Sequence, residues 1–269
     1  AQYVRFELGP QPWCGRDDMN LRFYCDPRVF ESTADILYRN EGNSTFRDAT
    51  QAAGVGLDGW STSAAFGDCD LDGDLDLYVA QYLNFSPDAT PPRGGMWKGV
   101  LVFAGPLGLP GAQDALYRNE GDGRFSEVTR RAKAGKLAPT YGLGALFCDY
   151  DDDGDPDIYV ANDSAPNFLY RNEGDGTFAD VTDEVGILPA AAKELGSFFI
   201  DYYQDRDLDL YVAGDRTPNL LYRNDGDPCA HADRPCADAP RRFTEVGALA
   251  GVAYNDMGKP LAGMGVDVG

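Results

Sequence analysis

The chain alternates short apolar segments with short polar, glycine-rich ones, and one such pattern recurs four times. Each copy begins with a run of the type LYRN, passes through a turn such as EGDG, and ends in an alternating run such as TFADVT. Alternation on both sides of a glycine-containing turn predicts a β-hairpin. The four predicted hairpins are marked by the tyrosines Tyr38, Tyr117, Tyr170 and Tyr222.

A second pattern lies between the hairpins. It consists of a small-residue apolar segment such as GLGALFCD, a run with aspartate at alternate positions, and the segment DLYVA or DIYVA. The apolar segments on either side of this aspartate ladder predict two more strands, and no sustained helical period is present. About four short strands per repeat therefore predict an all-β fold.

The spacing of the repeats predicts a β-propeller. The four tyrosines are separated by 79, 53 and 52 residues. The first residues of the three ladders are separated by 81 and 52 residues. A four-stranded unit repeated at this period is typical of propeller blades, which bury their faces by stacking on one another. We treat the chain as a single domain, residues 1–269, with about four blade equivalents. The predicted repeat units are approximately 1–79, 80–160, 161–212 and 213–269.

Composition narrows the possible partners. The formal net charge is −21 and the pI about 4.2. Nucleic acids and anionic membrane surfaces are bound through basic patches, so this composition argues against both. No apolar run reaches the length of about 18 residues that predicts a membrane-spanning helix. The hydrophobic content of 43% is enough to build a core.

The first aspartate ladder has the composition of a cation site. Like charges on alternate residues of a regular strand would repel one another. Gly73, the sixth residue of the ladder, can adopt a positive φ and turn the odd positions toward one point. Converging oxygens suit Ca²⁺, which takes about 6–8 oxygen ligands. The predicted ligands are the side chains of Asp68, Asp70, Asp72 and Asp76 and the backbone carbonyl of Asp74.

The second ladder is equally complete, and the third is degenerate. In the third, Tyr203 occupies position three and Arg206 replaces the glycine. Arg206 is a fixed cation, so we expect it to replace the metal in part, or the third site to be weak or empty. The predicted ligands are Asp149, Asp151, Asp153, Asp155 and Asp157 in the second loop and Asp201, Asp205, Asp207 and Asp209 in the third.

Six cysteines are compatible with disulfides and allow about fifteen connectivities. Two pairs lie close together in proline-containing, loop-like stretches, which predicts disulfides Cys14–Cys25 and Cys229–Cys236 in an oxidising compartment. The cysteines beside the ladders are predicted to be small buried thiols. These two residues are Cys69 and Cys148.

Catalytic motifs are absent from the sequence. His231 is the only histidine, and it lies in the insertion between the last two cysteines, where an exposed loop residue is expected. There is no G-x-S-x-G motif and no phosphate-binding loop. The arginines of the LYRN runs are predicted to pair with carboxylates within the blades. They are Arg39, Arg118, Arg171 and Arg223.

The combination LYRNEGDGTFADVT followed by GLGALFCDYDDDGDPDIYVAND resembles the FG-GAP/VCBS repeats of integrin-α-like β-propellers. More narrowly, it is similar to the ASPIC/UnbV, or cartilage acidic protein-like, group. The resemblance implies a calcium-stabilised propeller, usually of seven blades, that is extracellular, on the cell surface or periplasmic. It also implies binding or adhesion more than catalysis. The chain is therefore expected to be part of a larger propeller, with closure of its own two ends as the alternative.

Three functions remain open from the sequence. The first is a non-enzymatic propeller that binds a protein or glycan through its variable insertions, where Trp97 is a candidate contact or a loop anchor. The second is a calcium-dependent enzyme of the polysaccharide lyase type, which would need a metal with an open coordination position. The third is a structural spacer in a surface protein. No nucleic-acid partner and no membrane insertion are expected.

Overall fold

The computed structural model describes residues 34–57, 59–84, 105–135, 139–187, 193–226, 241–260 and 263, with the backbone of 15–16, 21–22, 96–97 and 100–101. Within these residues the fold is almost entirely β, as predicted, with two four-residue helices, α1 (Thr50–Ala53) and α2 (Thr129–Ala132). The strands are β1 (Gly15–Arg16), β2 (Leu21–Arg22), β3 (Tyr38–Asn40), β4 (Phe46–Asp48), β5 (Ser61–Gly67), β6 (Asp76–Gln81), β7 (Met96–Trp97), β8 (Val100–Leu101), β9 (Ala115–Asn119), β10 (Phe125–Glu127), β11 (Gly142–Cys148), β12 (Asp157–Asn162), β13 (Phe168–Asn172), β14 (Phe178–Asp180), β15 (Glu194–Ile200), β16 (Asp209–Gly214), β17 (Leu220–Asn224) and β18 (Phe243–Glu245).

Among the described residues, three four-stranded antiparallel sheets form blades of the propeller. Their strand orders are β5-β6-β9-β10, β11-β12-β13-β14 and β15-β16-β17-β18, and we refer to them as blades 1, 2 and 3. Each blade starts with the small-residue apolar strand, turns through an aspartate ladder, and ends with the LYRN hairpin. The hairpin β3–β4 precedes blade 1 and forms a two-stranded sheet.

The blades are out of phase with the predicted repeat units. The sequence units grouped each LYRN hairpin with the ladder that follows it. In the structure the hairpin instead pairs with the strand of the preceding ladder, through the partners Leu77 and Tyr117 in blade 1 and Ile158 and Tyr170 in blade 2. The connection from ladder strand to hairpin continues an antiparallel meander, whereas the segment after the hairpin crosses to the next blade.

Apolar clusters between the sheets hold the blades together. Tyr78 and Leu116 of blade 1 pack with Ile158, Val160 and Tyr170 of blade 2 in one cluster of buried residues. A matching cluster joins blades 2 and 3. Blade 2 thus buries one face on blade 1 and the other on blade 3, as stacking repeats must.

In three of the repeats, a threonine hydroxyl oxygen accepts a backbone N–H of the LYRN strand. The backbone N–H of Leu116 donates to Thr129 Oγ1 at 2.7 Å, and that of Leu169 donates to Thr182 Oγ1 at 2.9 Å. Leu37 makes the same bond to Thr50 Oγ1 at 2.8 Å. The repeated threonine of the FADVT run therefore satisfies a backbone donor of the neighbouring strand.

Several sequence predictions lie outside the described residues. They concern the two disulfides, His231 and the side chain of Trp97. Cys69 and Cys148 are free thiols; Cys69 is buried, as predicted, while Cys148 is only partly so. In the part of the chain that the structure describes, no helix is long and apolar enough to cross a membrane.

Glu194, the first residue of β15, is a buried carboxyl without a hydrogen-bond partner for its Oε2 among the described residues. It is 2% exposed and pairs with Gly214 of β16. Burial raises its pKa from 4.5 to about 7. Between these two pH values the folded state therefore holds a proton that the unfolded state has lost, so the free energy of unfolding falls as the pH rises.

Replacing Glu194→Gln is expected to remove this pH dependence. The difference between the two proteins should grow by at most about 1.4 kcal/mol per pH unit between about pH 4.5 and 7. Urea denaturation across this range measures it. Glu184→Gln, at an exposed position, is the control and should follow the unmodified protein. Parallel stability curves for Glu194→Gln and the unmodified protein would show that Glu194 does not titrate in this way.

Candidate metal centre

The three aspartate loops share one hydrogen-bonded turn. In the second loop, the N–H groups of Asp153 and Gly154 donate to Asp149 Oδ1 and Oδ2 at 3.1 and 3.0 Å. The corresponding groups of the first and third loops donate to Asp68 and Asp201 in the same way. The first aspartate of each ladder therefore folds the loop around its own carboxylate.

The sixth position of each loop has a left-handed backbone. φ is +94° at Gly73 and +93° at Gly154, which confirms the turn predicted from these glycines. A Cβ built at either glycine meets no atom within 4 Å. Conformation, and not space, thus favours glycine at these positions.

The first two loops bring carboxylate oxygens together. Oxygens of three aspartates in each loop lie within 4.8 Å of one another. This separation suits Ca²⁺, whose oxygen ligands lie at about 2.3–2.6 Å, so that opposite ligands are roughly 5 Å apart. Of the predicted side-chain ligands, Asp72 and Asp157 lie outside these sets. The converging groups are Asp68, Asp70 and Asp76, and Asp149, Asp151 and Asp153.

In these loops burial and like charges outweigh the nearby arginines, Arg171 and Arg241 at Asp151 and Arg118 at Asp70. Burial, followed by repulsion from Asp153 and Asp149, raises the pKa of Asp151 to about 6. Asp151 Oδ1 is buried and has no hydrogen-bond partner among the described residues. Burial and the neighbouring carboxylates also raise the pKa of Asp70. A bound cation would satisfy the unpartnered oxygen and offset the repulsion, so the residues of both loops fit Ca²⁺.

The ninth position is a buried anchor between strands. Asp157 is 0% exposed; its Oδ2 accepts the N–H of Tyr150 at 3.0 Å and its Oδ1 that of Asn172 at 2.8 Å. Burial raises its pKa to about 8, although both hydrogen bonds act in the opposite direction. Asp76 and Asp209 make the matching bonds in their own loops. This aspartate therefore ties its loop to the LYRN strand of the same blade.

The seventh position turns its side chain away from the loop centre. A Cβ built at Gly121 of the following hairpin would lie 2.9 Å from Asp74 Oδ2, and one at Gly174 would lie 2.8 Å from Asp155 Oδ2. These side chains contact the hairpin turn, and the ligand role of the backbone carbonyl stays a prediction. The contact also explains why the hairpin turn carries glycine at this place.

An asparagine that sequence reasoning missed links each of the first two loops to the next blade. Asn172 Nδ2 in blade 2 donates to the carbonyl of Cys69 in the first loop at 2.7 Å and to Pro156 O at 3.2 Å. Asn224 of blade 3 donates in the same manner to the carbonyl of Tyr150 in the second loop at 2.9 Å. The signal was present in the sequence as the last letter of LYRN, but its partner lies 103 residues away for Asn172 and 74 residues away for Asn224.

The third loop keeps the turn but changes the charges around it. Arg206 is exposed, and within the described residues no carboxylate lies close enough to form an ion pair with it. Tyr203 lies under the Arg223 guanidinium, 6.0 Å from ring centroid to Cζ. Arg241 pairs with Asp207. A cation thus reaches this loop from outside it, through Arg241, while occupancy of the third loop stays a prediction.

Arg206 has φ +80°, a left-handed conformation in which a side chain with a Cβ is strained. Replacing Arg206→Gly is expected to stabilise the protein by up to about 1 kcal/mol, because relief of about 1–2 kcal/mol is partly offset by the flexibility of glycine in the unfolded chain. Urea denaturation measures the change. Arg216→Gly is a matched control at φ +63° outside the loops. No stabilisation in Arg206→Gly would mean that the arginine makes a compensating contact.

All four LYRN arginines were predicted to pair with carboxylates, and three of them do so among the described residues. Arg118 Nη2 lies 2.7 Å from Glu120, Arg171 Nη2 lies 2.8 Å from Glu173, and Arg223 Nη2 lies 2.7 Å from Asp225. In the first hairpin the glutamate pairs with Arg47 in place of Arg39. These exposed pairs orient the hairpin turns and contribute little to stability.

Comparison with known proteins agrees with this geometry. Residues 18–79, 100–160 and 149–212 match the family of the FG-GAP-like repeat. The chain is 31% identical to Cartilage acidic protein 1 of Homo sapiens over 156 residues, 56% of this chain and 20% of that protein. It is 30% identical to the protein of the same name from Mus musculus over 91 residues, 34% of this chain and 14% of that protein.

These matches confirm the resemblance drawn from the motifs. A further match, to Cartilage acidic protein 1 of Xenopus tropicalis, has 32% identity over 66 residues, 24% of this chain and 10% of that protein. The chain thus spans a fifth or less of the length of the curated relatives it matches.

Proposed function

Since the chain belongs to the FG-GAP-like repeat family, we propose that it is a calcium-binding, non-catalytic propeller module that works outside the cell and binds a protein or glycan partner. Calcium acts as a structural clamp in the first two loops. The third loop binds weakly or remains without metal, because it lacks the carboxylate at position three.

The observation that carries this proposal is the unpartnered Oδ1 of Asp151. A buried carboxylate oxygen without a donor costs free energy unless a cation or a donor satisfies it. Asp149 and Asp153 lie beside it and add charge of the same sign. Ca²⁺ would accept all three oxygens at once, and Asp155 would add its carbonyl. The loop would then hold the strand that starts at Asp157 in register.

A structural role suits the way in which the loop aspartates are used. The carboxylates at the first and ninth positions already accept backbone N–H groups, which fixes their positions. Outside the loops, the cavity lined by Asp114 and Tyr170 has a volume of about 10 Å³, enough for roughly one water molecule. Tyr78 and the backbone N–H of Gln81 donate to Asp114, so its carboxylate is partnered. Neither the aspartate loops nor the cavity at Asp114 offers a positioned, open reaction centre.

Calcium titration by calorimetry tests the metal sites. The unmodified protein is expected to bind two calcium ions tightly, and Asp151→Asn is expected to bind one. Asp152→Asn is the matched control, since Asp152 is exposed, has φ +59°, which asparagine tolerates, and carries the same charge. The metal proposal fails if no calcium binds or if Asp151→Asn and Asp152→Asn behave alike.

The partner is tested by glycan-array binding and by interaction screening with extracellular proteins, each in calcium and in chelator. Saturable binding that needs calcium is expected. Release of product from a polyanionic polysaccharide would contradict the non-catalytic assignment and support a lyase. Neither binding nor turnover would leave a structural spacer as the function.

A further inference from the structure

The short helix α2 and the residue after it carry three exposed cations, which we call the cationic site: Arg130, Arg131 and Lys133. Ala132 and Ala134, on either side of the lysine, are buried in the apolar cluster that joins blades 1 and 2. The site therefore lies at the junction of these two blades. Within the described part of the chain, no carboxylate forms an ion pair with any of its three side chains.

The other repeats have no such cluster at the equivalent place. Residues 129–134 carry three cations and no carboxylate. The equivalent residues 50–55 and 247–252 carry no charge, and 182–187 carry two carboxylates and no cation. All four segments lie at the same point of the repeat, directly after the hairpin. The packing that the repeats share therefore does not require the cations.

Lys133 occupies a position that favours glycine. Its φ is +57°, and the equivalent residues Gly54, Gly186 and Gly251 have φ between +77° and +86°. A left-handed backbone strains a residue with a Cβ. The lysine therefore adds charge at a conformational cost that the other three repeats avoid. Local strain that the fold does not need indicates a use for the side chain.

Carboxylates near the cationic site already have partners of their own. Glu120 and Asp175 lie in the hairpin turns of blades 1 and 2, close enough for Arg131 and Lys133 to lower their pKa values after the larger effect of their own hydrogen bonds. These bonds come from the arginine of the LYRN strand, at 2.7 Å, and from the threonine hydroxyl after the turn, at 2.6 Å. The cationic site therefore keeps a local positive charge on an acidic protein.

The surroundings of the site favour a sulfated glycan over an acidic protein. Protein interfaces depend on apolar and aromatic side chains at their centre. Among the described residues, no large hydrophobic side chain at positions 108–201 is exposed. A sulfated glycan offers anionic groups on a hydrophilic backbone, and the planar guanidinium fork binds such oxygens in pairs. The net charge of −21 repels long polyanions, so a short oligosaccharide fits best.

We propose that the cationic site binds a sulfated oligosaccharide, with Arg130 and Arg131 holding sulfate oxygens and Lys133 adding a third charge. This inference rests on the proposed function, the binding of a partner, and names the chemical class of that partner. The site is separate from the aspartate loops, so its occupancy does not require a calcium ion as a ligand. Calcium supports it only by stabilising the two blades between which it lies.

Calorimetric titration of the full chain with a sulfated heparin octasaccharide tests the site. Calcium and about 0.15 M salt are present, and this salt screens the acidic surface beyond roughly 8 Å. Saturable binding of one octasaccharide per chain is expected. The desulfated octasaccharide should bind at least tenfold more weakly, because it lacks the groups that the two guanidinium forks hold.

Lys133→Gly separates the charge from the fold. The variant restores the residue of the other repeats, so it should be at least as stable to urea as the unmodified protein, yet bind the octasaccharide at least threefold more weakly. Arg216→Gly, at an exposed position with φ +63° outside the site, is the matched control and should bind normally. The pair Arg130→Gln with Arg131→Gln should lose at least tenfold. Arg206→Gln with Arg216→Gln removes the same charge from exposed positions elsewhere and should lose nothing.

Three results would overturn the inference: no saturable binding, equal binding of the desulfated octasaccharide, or normal binding by both Lys133→Gly and the arginine pair. A glutamate peptide of the same net charge that binds as tightly would overturn it too, in favour of an acidic protein. Calcium binding is measured separately with Asp151→Asn, so failure here leaves the metal sites standing. Conversely, octasaccharide binding by a protein that takes up no calcium would contradict the metal proposal alone.

Discussion

Removal of calcium is expected to lower the free energy of unfolding by about 5 kcal/mol, the largest single effect we predict. A ligand that binds only the folded state stabilises it by about 2.7 kcal/mol per site at 100 times its Kd, and two loops have converging carboxylates. Without the ion, Asp149, Asp151 and Asp153 repel one another around an unpartnered oxygen. Urea denaturation in calcium and in chelator measures the difference.

Two controls separate site binding from general screening of the acidic surface. Magnesium at equal concentration has the same charge but prefers a smaller, octahedral site, so it should restore little of the stability. The double variant Asp70→Asn with Asp151→Asn should respond to calcium far less than Asp152→Asn does. Coinciding denaturation curves in calcium and in chelator would contradict a structural role of the metal.

Replacing Asn172→Ala is expected to destabilise the protein by about 2–4 kcal/mol. Asn172 is 1% exposed, and its amide joins the first loop, through Cys69 O, to blade 2. Its Oδ1 also accepts the N–H of Gly174 at 3.1 Å. Removing the amide leaves buried carbonyl groups without donors, each at a cost of about 1–3 kcal/mol. Urea denaturation at constant calcium gives the value.

Asn40→Ala is the matched control for this loss. Asn40 has the same place in its LYRN motif but is exposed, and its Oδ1 accepts only the N–H of Gly42, at 2.9 Å, among the bonds described. Its replacement should cost less than about 1 kcal/mol. Similar losses for Asn40→Ala and Asn172→Ala would show that the link between blades adds nothing beyond the local turn.

Local features of this protein could be predicted from its sequence. Alternation around glycine turns gave the hairpins, and the repeat distance gave the four-stranded unit. The glycines at the sixth ladder position predicted the left-handed turns, now seen at Gly73 and Gly154. Each of these depends on interactions among residues close in the chain, so the pattern of a short segment is enough to reveal it.

Other features needed the folded chain. The repeat period is the same wherever a blade begins, so it could not show that each hairpin pairs with the preceding ladder. In each of the first two loops four carboxylates were predicted as side-chain ligands, but which three converge depends on the backbone of the loop. In the third loop, Arg241 approaches Asp207 from 34 residues away, a contact that no local pattern contains.

The sequence by itself determined the all-β repeat, the acidic turns and their chemistry, because hydrophobic period, glycine and aspartate act over a few residues. Only the tertiary structure decided the boundaries of the blades, the role of the LYRN asparagine and the exposure of the hairpin at Tyr38. These depend on which strand lies beside which. The pairing of strands is set by burial between sheets that are distant in the chain. Identical motifs such as LYRN therefore do not reveal it.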